Sequence, residues 1–391
     1  MDAVLTAMVE DQVGPGEHTR FLIHTVRDIL GFDYCLALRS PVFALQLALQ
    51  ALAARADGAE TAAGSAPGAG FAVGSGPAGN VSGNVSGAGF AAGSGPAGNV
   101  PGNVSGDGAA AGNEADAGIP KGRGVIVSAL SPLYYDRVIR GLGLYPIYCD
   151  TAADSPLMDR EKLEALLEAK PLCVVFHETL GYLPGAEFFE GLGFPVIEDC
   201  SQSAGAVLGG RKAGSFGTLA ILGLEERDMI TAGGGALLFA GSRRDAAPLR
   251  ALGELPPEYL LPDVNAAMAA VQFREGEKNL ARRRELGEAY VRSSLQTRHK
   301  RFREAEGLLY NNYAFSLILE SGARDVKSYA KKKEIAVEEA LELTLAGSGA
   351  LPSAQCPCAS SLTLRTLRFP LYPRLGAAQA DRVAKLIMTL P

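Results

Sequence analysis

The 391-residue chain has no tryptophan, only four histidines and six cysteines. Cys35, Cys149, Cys173 and Cys200 are scattered singly, and Cys356 and Cys358 form one isolated Cys-Pro-Cys with no histidine nearby. Neither a disulfide framework nor a metal-ligand array follows from that spacing, and free thiols suit a reducing compartment. A long hydrophobic run is also missing. The most apolar helix-like stretch, PVFALQLALQALAA, lies between Arg39 and Arg55 and is interrupted by Gln46 and Gln50, too short and too polar to cross a bilayer. The opening MDAVLTAMVEDQVGPGEHTR carries acids where an export signal carries bases and then an apolar core. These absences predict a cytoplasmic protein with no membrane partner. Its net charge of −6, from 37 basic and 43 acidic residues spread along the chain, gives no footprint for nucleic acid.

What is present is apolar substance, 47% of the residues, enough for a large core and for two or three domains of the usual size. Residues 56–120 are set apart by composition, being almost wholly Gly, Ala, Ser, Asn, Pro and Val; GFAVGSGPAGNVSGNVSGA at 70–88 recurs as GFAAGSGPAGNVPGNVSGD at 89–107. So few large side chains bury too little surface to offset chain entropy, so the segment is expected to be a disordered insertion. Asn80, Asn84 and Asn103 each sit in Asn-Val-Ser, read as by-products of the repeat.

Outside the insertion, helical and strand patterns alternate: HTRFLIHTVRDILG, DYCLAL, the helix from Pro41, GVIVSAL, YYDRVIRGLG, YPIYCD, DREKLEALLEA, LCVVFHE, PVIEDC. That rhythm predicts an α/β fold with a mostly parallel sheet and helices on both faces, over residues 1–245. From 246 to 391 the pattern becomes one long helix from Val264 to Leu295, the strand YAFSLILE, an amphipathic helix, LRTLRFPLYPRLG and a last helix, read as a smaller α+β domain.

One turn carries the functional question. In LGLEERDMITAGGGALLF, residues 222–239, an apolar strand enters, a glycine run and a second apolar strand leave, and the residues between are acidic. Five segments in order resemble the DegT/StrS family of pyridoxal-phosphate-dependent nucleotide-sugar aminotransferases: LRSPVFALQLALQAL (38–52), the strand ending in Cys149 and Asp150, VIEDCSQSAGAVLGGRKAGSFGTLAIL (196–222), VNAAMAAVQF (264–273) and LRFPLYPRLG (367–376). The third is the most specific. The resemblance implies the fold-type-I transferase architecture, and a cofactor that is pyridoxal phosphate or pyridoxamine phosphate. It also implies a homodimer or a heterodimer with a homologue, and a nucleotide-sugar ligand.

Carried over residue by residue, the resemblance puts Asp199 opposite the pyridinium nitrogen and Gln202 near the ring hydroxyl. Read without it, Asp199 caps the next helix. Ser40 and Gly223 fall at phosphate-binding positions, and Asp228 falls where the Schiff-base lysine belongs. Three departures weaken cofactor retention: Asp228 for lysine, Gly223 for serine, and Ser40-Pro41-Val42 for Ser-Gly-Thr. Pro41 suits a first helical position but removes one donor and Val42 a hydroxyl; each lost bond to a charged phosphate is worth roughly 1.5 to 3 kcal/mol. The aromatic expected to stack on the ring aligns near Pro132, with Tyr134 and Tyr135 close in sequence but off the position. Lys212 is the nearest other amine, at a position where the family often carries a second base.

Three functions remain open on these residues. One is a degenerate homologue without transaminase activity that acts by binding or partner interaction. Another is an active sugar aminotransferase of surface polysaccharide synthesis. The third is a lysine-free pyridoxamine-phosphate enzyme with Asp228 as proton carrier, for which ETLG at 178–181 offers a faint parallel. His177 reads as a core or rim histidine, and KNLARRR (278–284) as a solvated helix face.

Overall fold

A computed structural model of the chain describes residues 4, 14–62 and 123–391. In chain order the elements are α1 (Glu17–Leu30), β1 (Tyr34–Leu38), α2 (Pro41–Ala62), β2 (Gly124–Ser128), α3 (Tyr134–Gly141), β3 (Tyr145–Cys149), α4 (Arg160–Leu167), β4 (Cys173–His177) and β5 (Val196–Asp199). There follow β6 (Val207–Leu208), β7 (Arg211–Lys212), β8 (Leu219–Gly223), β9 (Ala236–Ala240), α5 (Arg243–Arg250), α6 (Asp263–Arg274), α7 (Gly276–Ser294) and β10 (Leu308–Leu309). The chain closes with β11 (Phe315–Ile318), α8 (Ala323–Lys332), β12 (Glu338–Glu339), α9 (Pro357–Arg365), β13 (Thr366–Phe369) and α10 (Ala377–Met388).

Seven strands form the central sheet in the order β1-β9-β8-β5-β4-β2-β3. The five inner and edge strands β8, β5, β4, β2 and β3 run parallel, while β9 is antiparallel to β8 and to β1. The expectation of a mostly parallel sheet holds. Strands β2, β4, β5, β8 and β9 are buried at every position, which is why GVIVS, CVVFH and LAILG read as unbroken apolar runs rather than alternating ones. Helices cover both faces, and one core gathers α2, α3 and α4 residues while a second gathers Leu22 and Val26 of α1 with Ala266, Ala269 and Ala270 of α6.

Toward the C-terminus, β11, β13 and β12 make a separate three-stranded antiparallel sheet. Its core joins Leu286 and Tyr290 of α7 to Phe315, Leu317, Leu367, Phe369, Val383 and Ile387. The single long helix expected from Val264 is two helices: Glu275, with φ −85° and ψ 0°, interrupts the α-helical run ahead of Gly276. At the other junction, α2 runs through Ala62, into the segment read as an insertion; its first residues, ADGAETA, still favour helix through alanine. The remainder of that expectation, including Asn80, Asn84 and Asn103, lies outside the described residues.

Candidate functional site

In parallel α/β sheets, ligands gather at the carboxyl ends of the strands. Here β4 ends on His177 and β5 on Asp199, and the two are register partners. Strand β8 ends close by on Gly223. Over these ends lies a hollow of about 200 Å³ whose walls include Pro41, Tyr134, His177, Asp199, Ser201 and Asp228. One side is closed by the C-terminal part of the chain: Leu345 donates its N–H to Ser131 O (3.0 Å) and Ala346 to Ala129 O (2.9 Å), and Thr344 bridges to Pro132.

Asp199 is 1% exposed. It accepts hydrogen bonds from the Tyr135 hydroxyl, from the Ser201 hydroxyl and from Ser201 N (3.0 Å), and His177 Nδ1 lies 3.4 Å from Oδ2. Burial pushes the carboxyl up, yet His177, Ser201 and Tyr135 together hold it below the usual range, so the group is ionised. Tyr135 is fully buried; burial first, and the Asp199 charge second, push its phenol well above the ordinary value. It therefore keeps its proton and donates.

Asp228 stands at the end of a tight turn. Its N–H donates to Glu225 O (3.1 Å), and its Oδ2 accepts from Glu225 N (2.8 Å). The residue matched to the lysine thus fastens its own loop. Burial pushes its carboxyl up to about 7, the Glu225 N–H pulls it down, and the charges of Asp199 and Glu225 push it up again.

The other residues picked from sequence are nearby but otherwise engaged. Gln202 Oε1 accepts from Leu180 N at 2.6 Å. Ser40 sits before α2 and accepts from Phe43 N at 3.4 Å, and Pro41 lines the hollow. Gly223 N donates to Ser201 Oγ at 2.8 Å, and a Cβ built on Gly223 would overlap Asp228 Oδ2. Lys212 is elsewhere: its Nζ donates to Ile29 O (2.6 Å), beside an outer groove. Sequence reasoning missed Tyr135, Ser201 and the placement of His177. Tyr135 stood close to the expected aromatic position, and His177 ended a buried strand; those were the available signals.

These side chains do not fit a pyridoxal or pyridoxamine phosphate. No lysine lines the hollow among the described residues to anchor the aldehyde, and the carboxyls of Glu225 and Asp228 stand there beside Arg227 and Arg368. Chemically, the arrangement is a partly open, acid-rich hollow with hydroxyls and two arginines in its walls.

Known proteins resemble this chain in sequence and in fold. A family profile described as the DegT/DnrJ/EryC1/StrS aminotransferase family matches residues 107–388. An L-glutamine:2-deoxy-scyllo-inosose aminotransferase of Streptomyces fradiae is 29% identical over 126 residues, 31% of this chain and 30% of that protein. A GDP-perosamine synthase of Caulobacter vibrioides is 26% identical over 183 residues, 42% of this chain and 49% of that one. The matched stretches thus span less than half of these curated relatives. Among solved structures, a DegT DnrJ EryC1 StrS aminotransferase from Brucella abortus superposes with a TM-score of 0.73 at 18% identity, covering 99% of this chain and 93% of that one. The aminotransferase TlmJ from Streptoalloteichus hindustanus gives 0.73 at 16% identity, covering 99% and 94%.

Proposed function

Because the chain belongs to the DegT/DnrJ/EryC1/StrS aminotransferase family, we propose that it is a member that has given up transamination and acts by binding, either to a ligand or to a partner chain. The observation that carries this reading is the turn at Asp228. Transamination in this fold needs an amine at that position to hold the cofactor and to move a proton. The residue there is a carboxylate folded onto Glu225 N. A homodimer, or a heterodimer with an active homologue, is the assembly this reading favours, and a nucleotide-sugar its natural candidate ligand.

A second reading is a lysine-free enzyme with Asp228 as proton carrier. Its support is a carboxyl held at about 7, close to where a general acid or base works best; the crowding around Asp199 weighs against it. One experiment separates the readings. The purified protein is incubated with pyridoxal phosphate, glutamate and a keto-sugar nucleotide, then treated with borohydride. The expected result is no amino sugar and no lysine-linked cofactor. Turnover at an enzyme-like rate, or a labelled lysine, overturns the proposal.

A further inference from the structure

A second hollow, of about 490 Å³, is lined by residues of α7, β10 and β11, and none of them belongs to the hollow over Asp199. Two polar atoms of its lining residues are cut off from water without a hydrogen-bond partner: Arg284 Nε on α7 and Ser316 Oγ on β11. Ser316 is 4% exposed. Three arginines and two glutamates stand around the space. Arg301 pairs with Glu304 at 2.9 Å, whereas among the described residues Arg284 and Arg292 have no ion pair, and the exposed Glu288, one turn from each along α7, pairs with neither. A buried N–H or O–H left without a partner costs the desolvation of that group, and folded proteins keep few of them unless water, an ion or a ligand completes the bond. Here two face one space, and its volume is within the range of small-molecule sites, roughly 300 to 1,000 Å³.

We propose that this hollow binds a small carboxylic acid with an apolar body, its carboxylate accepting from Arg284 Nε and from the Ser316 hydroxyl. A guanidinium only donates, so the group that completes Arg284 is an acceptor, and Nε with one terminal nitrogen offers the two parallel N–H bonds that fit a carboxylate. The unpaired Arg292 adds attraction for one negative charge, while Glu288 and Glu304 in the same lining oppose a second; this favours a carboxylate over a phosphate dianion. Val291, Leu308 and Tyr310 supply the apolar wall. Tyr310 is held there, its hydroxyl donating to Leu180 O (2.7 Å) and its ring 4.7 Å from that of Tyr182. The proposal stands apart from the fate of transamination, because no residue of the Asp199 hollow takes part.

Two rival occupants lead to different outcomes. Arg284 also lines the outer groove, where a carboxylate from a second copy of the chain would meet it, and water alone would satisfy Ser316. Under the proposal, Ser316→Ala removes a hydroxyl that is orphaned in the free protein, so the unfolding midpoint stays or rises while the ligand weakens. A serine with a purely structural role would not show that opposition.

The test uses the full-length protein at about pH 7, where a carboxylic acid is ionised, and three probes: 3-phenylpropionate, its neutral amide 3-phenylpropanamide, and phenyl phosphate. Calorimetric titration reads the affinities for the unmodified protein, Arg284→Gln and Ser316→Ala, and sedimentation and thermal melts are run on each. The acid is expected to bind about tenfold or more tightly than the amide, and more tightly than phenyl phosphate. Arg284→Gln should abolish the preference for acid over amide, and Ser316→Ala should weaken the acid by about three- to tenfold without lowering the melting temperature. Equal binding of acid and amide, no saturable binding up to roughly 10 mM, tighter binding of phenyl phosphate, or a preference that survives in Arg284→Gln overturns the proposal. A dimer that dissociates in Arg284→Gln while the acid still binds assigns the arginine to the second copy, and overturns it too.

Discussion

Asp228 is the residue on which chemistry and stability meet. An ionised carboxylate in this turn is penalised in the folded state, since burial pushes its carboxyl up to about 7 while the unfolded chain ionises near 4. Below the unfolded value both states are protonated and nothing is lost. As pH rises from there to about 7 the unfolded state releases its proton first and stability falls, levelling off above. Asp228→Asn removes the charge and keeps the acceptor, so it should stabilise the protein by roughly 1 to 3 kcal/mol at about pH 8 and by almost nothing at about pH 4; denaturant melts at the two pH values check this, and a pH-independent difference would refute it. Tyr135→Phe tests the neighbouring contact. It strips a buried ionised carboxylate of one donor, with an expected loss of about 1.5 to 3 kcal/mol, and it should move the Asp199 titration upward, since Tyr135 is one of the groups holding it low. Asp199, Gln202, Ser40, Gly223 and Asp228 were picked by the family resemblance; Asp199, Gln202 and Asp228 line the hollow, while Ser40 stands before α2 and Gly223 ends β8. Tyr135 was not picked, because which side chain of α3 reaches the carboxylate depends on how far the turn after β2 carries the helix over the sheet, a three-dimensional quantity with no local sequence signature.

At the scale of elements, aspartates fasten helices to distant chain. Asp263, buried at the start of α6, accepts from Gly16 N (2.7 Å), Thr19 N (2.9 Å) and Thr19 Oγ1 (2.7 Å), capping α1 from across the sequence. Asp150 does the same for α9: it accepts from Ala359 N (2.8 Å) and Cys358 N (3.1 Å) and from Lys162 Nζ (2.9 Å). Burial raises the Asp150 carboxyl, but those donors outweigh it and hold it low; its stabilisation is present above the unfolded value and is lost as pH falls through the lowered one. Asp150→Ala should therefore cost about 1 to 2 kcal/mol near neutral pH and progressively less in acid, read from melts across the carboxylate range. The strands and helices of the parallel sheet were plain in the sequence because apolar runs of strand length alternate with amphipathic ones. The two-residue strands β6, β7, β10 and β12 were not, since a pair of residues has no period. Nor was the interruption at Glu275, since the glycine that follows it, Gly276, is a poor helix former that helices nonetheless tolerate.

For the whole molecule, the surface suggests assembly. An outer groove of about 1040 Å³ mixes apolar Met229, Phe273 and Leu309 with charged Glu226, Lys278 and Arg282, the mixture a polar-rimmed contact site carries, and closed two-fold pairing is the commonest way to cover such a site. Sedimentation at micromolar concentration is expected to find a dimer, and a strict monomer would count against the assembly proposed above. The last expectation concerns the repeat. The central sheet passes from α2 to β2 across residues 63–122, and the hydrogen bonds of β2 are made to β3 and β4, within the body of the fold. A Gly-, Ala- and Ser-rich stretch adds little burial, and each doubling of a flexible connection costs only about 0.6 kcal/mol. Replacing residues 66–118 with a short Gly/Ser linker should thus leave the unfolding midpoint within a few degrees, or raise it slightly by shortening the loop. A fall of more than roughly 10 °C, equivalent to several kcal/mol for a chain of this size, would mean that the repeat packs against the body and contributes to its core.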